Sequence, residues 1–310
     1  MSKLLDNLCG ILAYLTNDFI KHNGIDYSFK ADESWVILSP IEQGIKKKIE
    51  EIGKPLKEWD IKIYRGILTG YNEAFIIDER KKNELIAEDP KSDEIIRPIL
   101  RGRDIKRYGY EFADLYLIAT FPSLKIDIEN YPAVKNHLLS FGMERLEQTG
   151  KKYIIDGKKI EARKKTSNKW FETQDSISYW DDFYKQKIAW MSVGKTYYSL
   201  IPEDFILLDT NYFFTIKTEF LYLLGMLNSK LIFFEINRKD TKMKGRGIYR
   251  HYKYNLEDLL IYKPTVEIKQ QIENYLLEKN YKAIDTLIYK LYGLNESEVD
   301  FIETHFRSQG

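Results

Sequence analysis

Leu4, Leu8, Ile11, Leu15 and Phe19 recur every three or four residues, the spacing that puts apolar side chains on one face of an α-helix. A second helix is written into SPIEQGIKKKIEEIG. Ser39 can cap it, Pro40 suits its first position, Glu42 completes a capping box, and Gly53 stops it. Ile41, Ile45, Ile49 and Ile52 then form one apolar face, with Lys46, Lys47 and Lys48 mostly on the outer side. From Trp59 to Asn211 the pattern turns to strands: IKIYRGIL, AFIID, LYLIATF, KIAWMS, TYYSLI and NYFFTI are rich in β-branched and aromatic residues and bounded by turn formers. Short helices are predicted between them, at YPAVKNHLLSF and SISYWDDFYK. Helical spacing returns at TEFLYLLGMLNSKLIFFEINRK, with Thr218 as its cap, and at PTVEIKQQIENYLLEKNYKAIDTLIYKLYG, a helix pair ending at Gly293. Asn295 and Glu298 cap one more turn bearing Val299, Ile302 and Phe306.

Strands and crossover helices do not alternate regularly, so a doubly wound nucleotide fold is not indicated. The pattern predicts an α+β protein: an irregular mixed β-sheet between helical N-terminal and C-terminal segments. The expected divisions are residues 1–58, 59–262 and 263–310. Within the middle segment, YRGILTGYNEAFIID places two glycines, a threonine and an asparagine between two apolar runs. Read locally, it is a hairpin whose turn uses a positive φ at Gly70, with Asn72 as a turn former.

Composition narrows the function by exclusion. An apolar fraction of 44% with 31% charged residues is that of a globular protein, and the longest apolar runs fall far short of the ~18 to 20 residues of a membrane span. The first twenty residues read as a helix, since Asp6, Asn7, Thr16, Asn17 and Asp18 interrupt any signal-like run. Cys9 is the single cysteine, which excludes an intrachain disulfide and fits a reducing cytosol.

Net charge is only +1, but it is segregated. Residues 151–169 carry eight Lys/Arg against two acids, and residues 237–253 carry seven against one, so each stretch is +6 and the other 274 residues sum to −11. Two basic stretches on an acidic body point to local contacts with a polyanion; each by itself could be a solvated loop.

Common catalytic signatures are missing. The eight prolines include no adjacent pair, so the Asn/Asp/Ser-Pro-Pro-aromatic motif of amino-methyltransferases is absent, as are the glycine-rich dinucleotide and P-loop runs. His22, His137, His251 and His305 have no metal-ligand spacing. Acidic-x-Lys triplets at Asp60, Asp104 and Glu267 could belong to a Mg²⁺-dependent nuclease, although a chain this rich in Asp, Glu and Lys yields such triplets by chance. No cofactor is expected on this chain.

What remains is a binding constellation. IEARKKTSNKW sets Arg163, Lys164 and Lys165 beside Thr166, Ser167 and Asn168, while KDTKMKGRGIYRHYKY interleaves Lys239, Lys242, Lys244, Arg246 and Arg250 with Tyr249, Tyr252 and Tyr254. Lys and Arg neutralise phosphates, Arg and Asn can read purine edges, and tyrosines pack on sugars or unstacked bases. Lys195 is a further candidate cation.

From about Trp59 to Phe306 the chain resembles the TaqI-like C-terminal specificity domain, the target recognition domain of type IIG restriction-modification enzymes and related adenine-N6 DNA methyltransferases. Five pieces in the same order carry the resemblance: IYRGILTGYNEAFIID; IIRPILRGRDIKRY; WFETQ followed by KIAWMS; LLGMLNSKL with the basic Gly loop and LLIYKPTVEIKQQIE; and IDTLIYKLYGLNESEV. The resemblance implies sequence-specific binding of double-stranded DNA opposite a methyltransferase domain or subunit that holds S-adenosylmethionine and flips the target adenine. It implies that Thr69, Gly70 and Asn72, near Gly66, form a loop close to DNA. It also makes Arg101, Gly102, Arg103 and Asp104 the family's Arg-Gly-Arg-Asp segment and puts Lys239 to Arg250 in its variable basic region. Bland readings stand beside these: Arg101 and Arg103 could pair with Asp104 and Glu111, and Gly66 could only permit close strand packing. The family's catalytic half is not in this sequence. The alternatives are a module whose helical ends dock a methyltransferase, and a nuclease using Asp60, Asp104 or Glu267.

Overall fold

The computed structural model describes residues 38–244 and 247–309. The amphipathic helix expected over Leu4 to Phe19 and the candidate Arg246 lie outside the described residues. The chain divides into two compact units, residues 1–44 and residues 45–310.

The helix signalled by Ser39 and Glu42 runs over Pro40–Ile52. Its capping box forms as written: the Ser39 N–H donates to Glu42 at 2.7 Å, and the Glu42 N–H to the Ser39 hydroxyl at 3.4 Å. Ile45 and Ile49 are buried, whereas Ile41 is exposed, which shortens the expected apolar face.

A four-stranded antiparallel sheet is the centre of the second unit, in the order Ser199–Ile201, Lys187–Met191, Asn211–Thr215, Lys62–Arg65. Side chains alternate across it with period two, and the two faces serve two different cores. Ala189, Ile201 and Phe213 belong to one core, with Tyr64 packed against it. Ile63, Ile188, Trp190 and Phe214 belong to the other, with Leu200 and Tyr212 packed against it. Each fully buried side chain of this kind contributes roughly 1.5–3 kcal/mol.

The first core is shared with a second four-stranded sheet, ordered Ile206–Leu207, Ile96–Leu100, Leu115–Ile118, Ile76–Asp78. Its Ile206–Leu207 strand is parallel to Ile96–Leu100, and the other pairs are antiparallel. The second core is helical. The helical stretch after Thr218 is two helices, Phe220–Leu227 and Lys230–Lys239, joined at Asn228 and Ser229. Asn228 breaks them apart because its side chain bonds the backbone of Tyr198 (Oδ1 accepting at 3.0 Å, Nδ2 donating at 2.9 Å), and Ser229 caps the second. The first starts after Glu219 in the left-handed region, not at a Thr218 cap. Helices Val266–Leu277 and Tyr281–Leu291 follow, and the last, Glu296–Gln309, has the reciprocal Asn295 and Glu298 cap. No helix among the described residues is long and apolar enough to cross a membrane.

All six expected strands form, each shorter than its apolar run. The hairpin expected at Tyr64 to Asp78 does not. Lys62–Arg65 pairs in the first sheet and Ile76–Asp78 in the second, so the segment is a crossing between sheets. Gly66 makes the crossing possible: a Cβ there would lie 2.1 Å from the Leu208 carbonyl oxygen. Gly70 does adopt the expected positive φ of +79°.

One cation sits inside the central sheet. Lys187 is fully buried, and its Nζ donates to the carbonyls of Phe183 and Pro202 at 2.7 Å each. Burial lowers its pKa to about 7. Longer bonds run from the same Nζ to the carbonyls of Lys185 and Glu203 at 3.3 and 3.4 Å, so four carbonyl oxygens surround the amine.

Candidate nucleic-acid interface

The Gly70 crossing is packed against the first basic stretch. Thr69 is fully buried; its hydroxyl donates to Asn72 Oδ1 at 2.6 Å and accepts from the Tyr71 N–H at 3.1 Å, closing the turn that opens the helix Asn72–Phe75. Asn72 itself is exposed. The Thr69 carbonyl accepts from Arg163 at 3.2 Å. Arg163 also donates to the carbonyls of Leu146, Glu172 and Trp170 at 2.8, 2.7 and 2.6 Å. Four of its five N–H groups are thus used inside the protein, and it is 2% exposed. Burial pulls its pKa down to about 10. Lys164 and Lys165, next in the chain, are exposed and make no ion pair among the described residues.

The Arg-Gly-Arg-Asp segment divides in the same way. Asp104, buried, accepts from both Arg101 Nε at 2.9 Å and Arg101 NH2 at 2.7 Å. That hydrogen bonding raises the Arg101 pKa. Gly102 packs beside Met191 and Thr210, and its N–H donates to the Thr210 hydroxyl at 2.9 Å. Arg103 is left exposed at this turn.

The second basic stretch builds a small sheet on the continuation of the central strand. Just beyond Met191, Val193–Gly194 pairs with Tyr249–Arg250, which pairs in turn with Thr241–Lys242. The Arg103 turn and this ribbon therefore meet the same end of one strand. Beneath the ribbon lies a buried polar cluster. Asp240 accepts from His251 Nδ1 at 2.5 Å and from Asn255 Nδ2 at 2.8 Å, while His251 Nε2 lies 3.3 Å from the Gly194 carbonyl. Tyr249 is buried, which raises its pKa. Lys239 donates to the Asp258 carbonyl at 3.1 Å and pairs with Glu235 at 3.5 Å. Lys242, Lys244 and Arg250 are exposed with no ion pair among the described residues, and Lys195, which follows Gly194 of this sheet, is half-buried. Tyr252 and Tyr254 stack on each other, centroids 5.1 Å apart, with Tyr254 mostly exposed.

Sequence reasoning passed over the ribbon Lys152–Ile155 and Lys158–Glu161, which the structure pairs antiparallel about Asp156 and Gly157. The signal was present: an Asp-Gly between alternating apolar residues is a strong hairpin mark. Its lysines drew attention as charge alone.

The three acidic candidates are dispersed. Asp60 pairs with Lys217 at 3.2 Å, Asp104 is held by Arg101, and Glu267 lies in the first turn of Val266–Leu277. Among the described residues no group of three His, Cys, Asp or Glu side chains could hold a metal ion.

No family model matches this chain, and no curated protein sequence does. Among solved structures, the complex of the type IIL restriction-modification enzyme MmeI with DNA aligns with TM-score 0.51 at 12% identity, over 83% of this chain and 36% of that one. The type IIG restriction endonuclease BpuSI aligns with TM-score 0.49 at 14% identity, over 77% of this chain and 28% of that one. The chain thus spans well under half the length of either enzyme, and at this identity the likeness to MmeI is one of fold.

Proposed function

We propose that this chain recognises a specific sequence in double-stranded DNA and aims an adenine-N6 methyltransferase domain or subunit of a restriction-modification system at it. The observation that carries this reading is the set of exposed cations that make no ion pair among the described residues, Lys164, Lys165, Lys242, Lys244 and Arg250, grouped on two short stretches of an otherwise acidic chain. Such groups release counterions from phosphate, and a neighbouring polar side chain can read base edges. Arg103 and Asn72 join the set because both are exposed; Thr69 and Arg163 position it from beneath. The fold shared with an enzyme solved in complex with DNA supports the same reading. S-adenosylmethionine and the methyl transfer belong to the partner domain.

Selection from randomised duplexes, with and without the methyltransferase, at several salt concentrations tests this. Enrichment of one short motif is the expected result. Binding that ignores sequence and vanishes by ~0.2 M salt would reduce the chain to a phosphate grip.

A further inference from the structure

The ribbon Lys152–Glu161 has a face that neither the cores nor the contacts above employ. Asp156 and Gly157, at φ +50° and +75°, form a two-residue turn that sets the register Ile155 to Lys158, Ile154 to Lys159, Tyr153 to Ile160 and Lys152 to Glu161. Opposed residues share a face, so Tyr153, Ile155, Lys158 and Ile160 point to one side and Lys152, Ile154, Lys159 and Glu161 to the other. The first side leans on the body of the protein. Tyr153 donates to Glu147 at 2.9 Å, and Tyr153, Ile155 and Ile160 are half-buried. On the second side Ile154 is 82% exposed, flanked by the exposed Lys152 and Lys159.

A branched aliphatic side chain held in water between two cations contributes nothing to the core. Its surroundings choose its occupant: a ribbon bearing Lys152, Lys158 and Lys159 and followed by the exposed Lys164, Lys165 and Lys169 fits a polyanion, and two strands fit the DNA major groove, about 12 Å wide. Within that groove the apolar feature is the thymine C5 methyl group. Building on the DNA-binding reading, we infer that this ribbon enters the major groove and that Ile154 reads a thymine methyl, with Lys159 reaching a neighbouring base edge or phosphate. Lys152 is held back by Glu161, 3.8 Å away.

A two-by-two cycle tests the assignment. Once selection has defined the motif, each thymine is replaced in turn by uracil, which removes only the methyl group, and binding is measured for the wild type and for Ile154→Ala. At one position uracil weakens wild-type binding three- to fivefold, roughly the worth of one buried methyl, and Ile154→Ala shows no such loss there. Because the readout is a ratio between two duplexes, a variant with altered stability shifts both arms alike. The proposal is overturned if no thymine is methyl-sensitive, or if Ile154→Ala retains the wild-type sensitivity. It is also overturned if Ile154→Ala abolishes self-association instead, which would put a second copy of the chain on this face. Failure to select any motif sinks the DNA-recognition reading itself, a result distinct from selection without methyl sensitivity.

Discussion

Residues 151–169 and residues 237–253 carry the same net charge, +6, and the fold deploys it differently. In the first, Arg163 alone turns inward, where four carbonyls surround it, and the lysines on either side stand in solvent. In the second, Arg238 and Lys239 are drawn back by Glu235, and Asp240 ties the two ends of the loop together through His251 and Asn255. Counting cations along a chain therefore overstates what a polyanion meets. The field available to a ligand comes from the cations whose charge no carboxylate already neutralises within a few ångströms. The buried members matter in another way, because they set where the exposed ones stand.

Replacing an inward cation separates these roles most sharply. Arg163→Met leaves the carbonyls of Leu146 and Trp170 without a donor, while those of Thr69 and Glu172 keep the Gln174 N–H and Gln148 Nε2, and a stability loss of about 3 kcal/mol is expected in urea unfolding. A change under about 0.5 kcal/mol would mean that the guanidinium is not a structural clamp. In the second stretch, Asp240→Ala removes the acceptor of His251 Nδ1 and one of the two acceptors of Asn255 Nδ2, and is expected to cost about 2–3 kcal/mol, with hydrogen exchange rising first in the ribbon Thr241 to Arg250.

Neutralising outward cations should do the reverse. Lys242, Lys244 and Arg250 replaced together by alanine should leave stability within about 0.5 kcal/mol and reduce the slope of log binding against log salt by about 2.7, near 0.9 for each phosphate contact. An unchanged slope would remove this ribbon from the interface. Lys187, buried and outside both stretches, offers a control for inward charge without any DNA role. Its folded pKa is about 7 against an ordinary value of 10.5, so between those pH values the unfolded chain binds the extra proton. Stability from this group accordingly rises with pH across that window, by up to about 1.4 kcal/mol per pH unit. Urea midpoints of wild type and Lys187→Met through that window should diverge in this sense; parallel curves would show that the amine stays charged when buried. Smallest of all, Thr69→Val should cost about 1 kcal/mol through its lost bonds to Asn72 and Tyr71, and should leave sequence preference intact. Relaxed specificity at full stability would reverse the role assigned to Thr69.

Local structure was legible in the residues; partnership was not. Ser39 with Glu42 and Asn295 with Glu298 specify their helix starts through contacts three residues apart, and runs rich in β-branched and aromatic residues mark the six expected strands, though not Ile96–Leu100 or Ile206–Leu207. The Tyr64 to Asp78 segment read as a hairpin because a turn between two apolar runs looks alike whether its strands pair with each other or with distant ones. Leu117 and Phe213, the actual neighbours of Ile76 and Tyr64, are far along the chain. The site shows the same limit. Arg163 and Lys164 are adjacent basic residues of equal promise in sequence, and what divides them is a ring of carbonyls, two of them from Thr69 and Leu146 well upstream. Asp156-Gly157, by contrast, was a local signal in plain view, overlooked because its lysines were weighed only for charge.

That turn also governs how this surface can vary. With the register set at Asp156 and Gly157, inserting one residue into each strand would exchange the two faces, sending Ile154 and its lysines toward the body and Tyr153 and Ile160 into water. Lengthening each strand by two keeps the same side chains outermost. The ribbon can thus be extended, shortened or recoded only in steps of one parity, while the two cores behind it are left untouched.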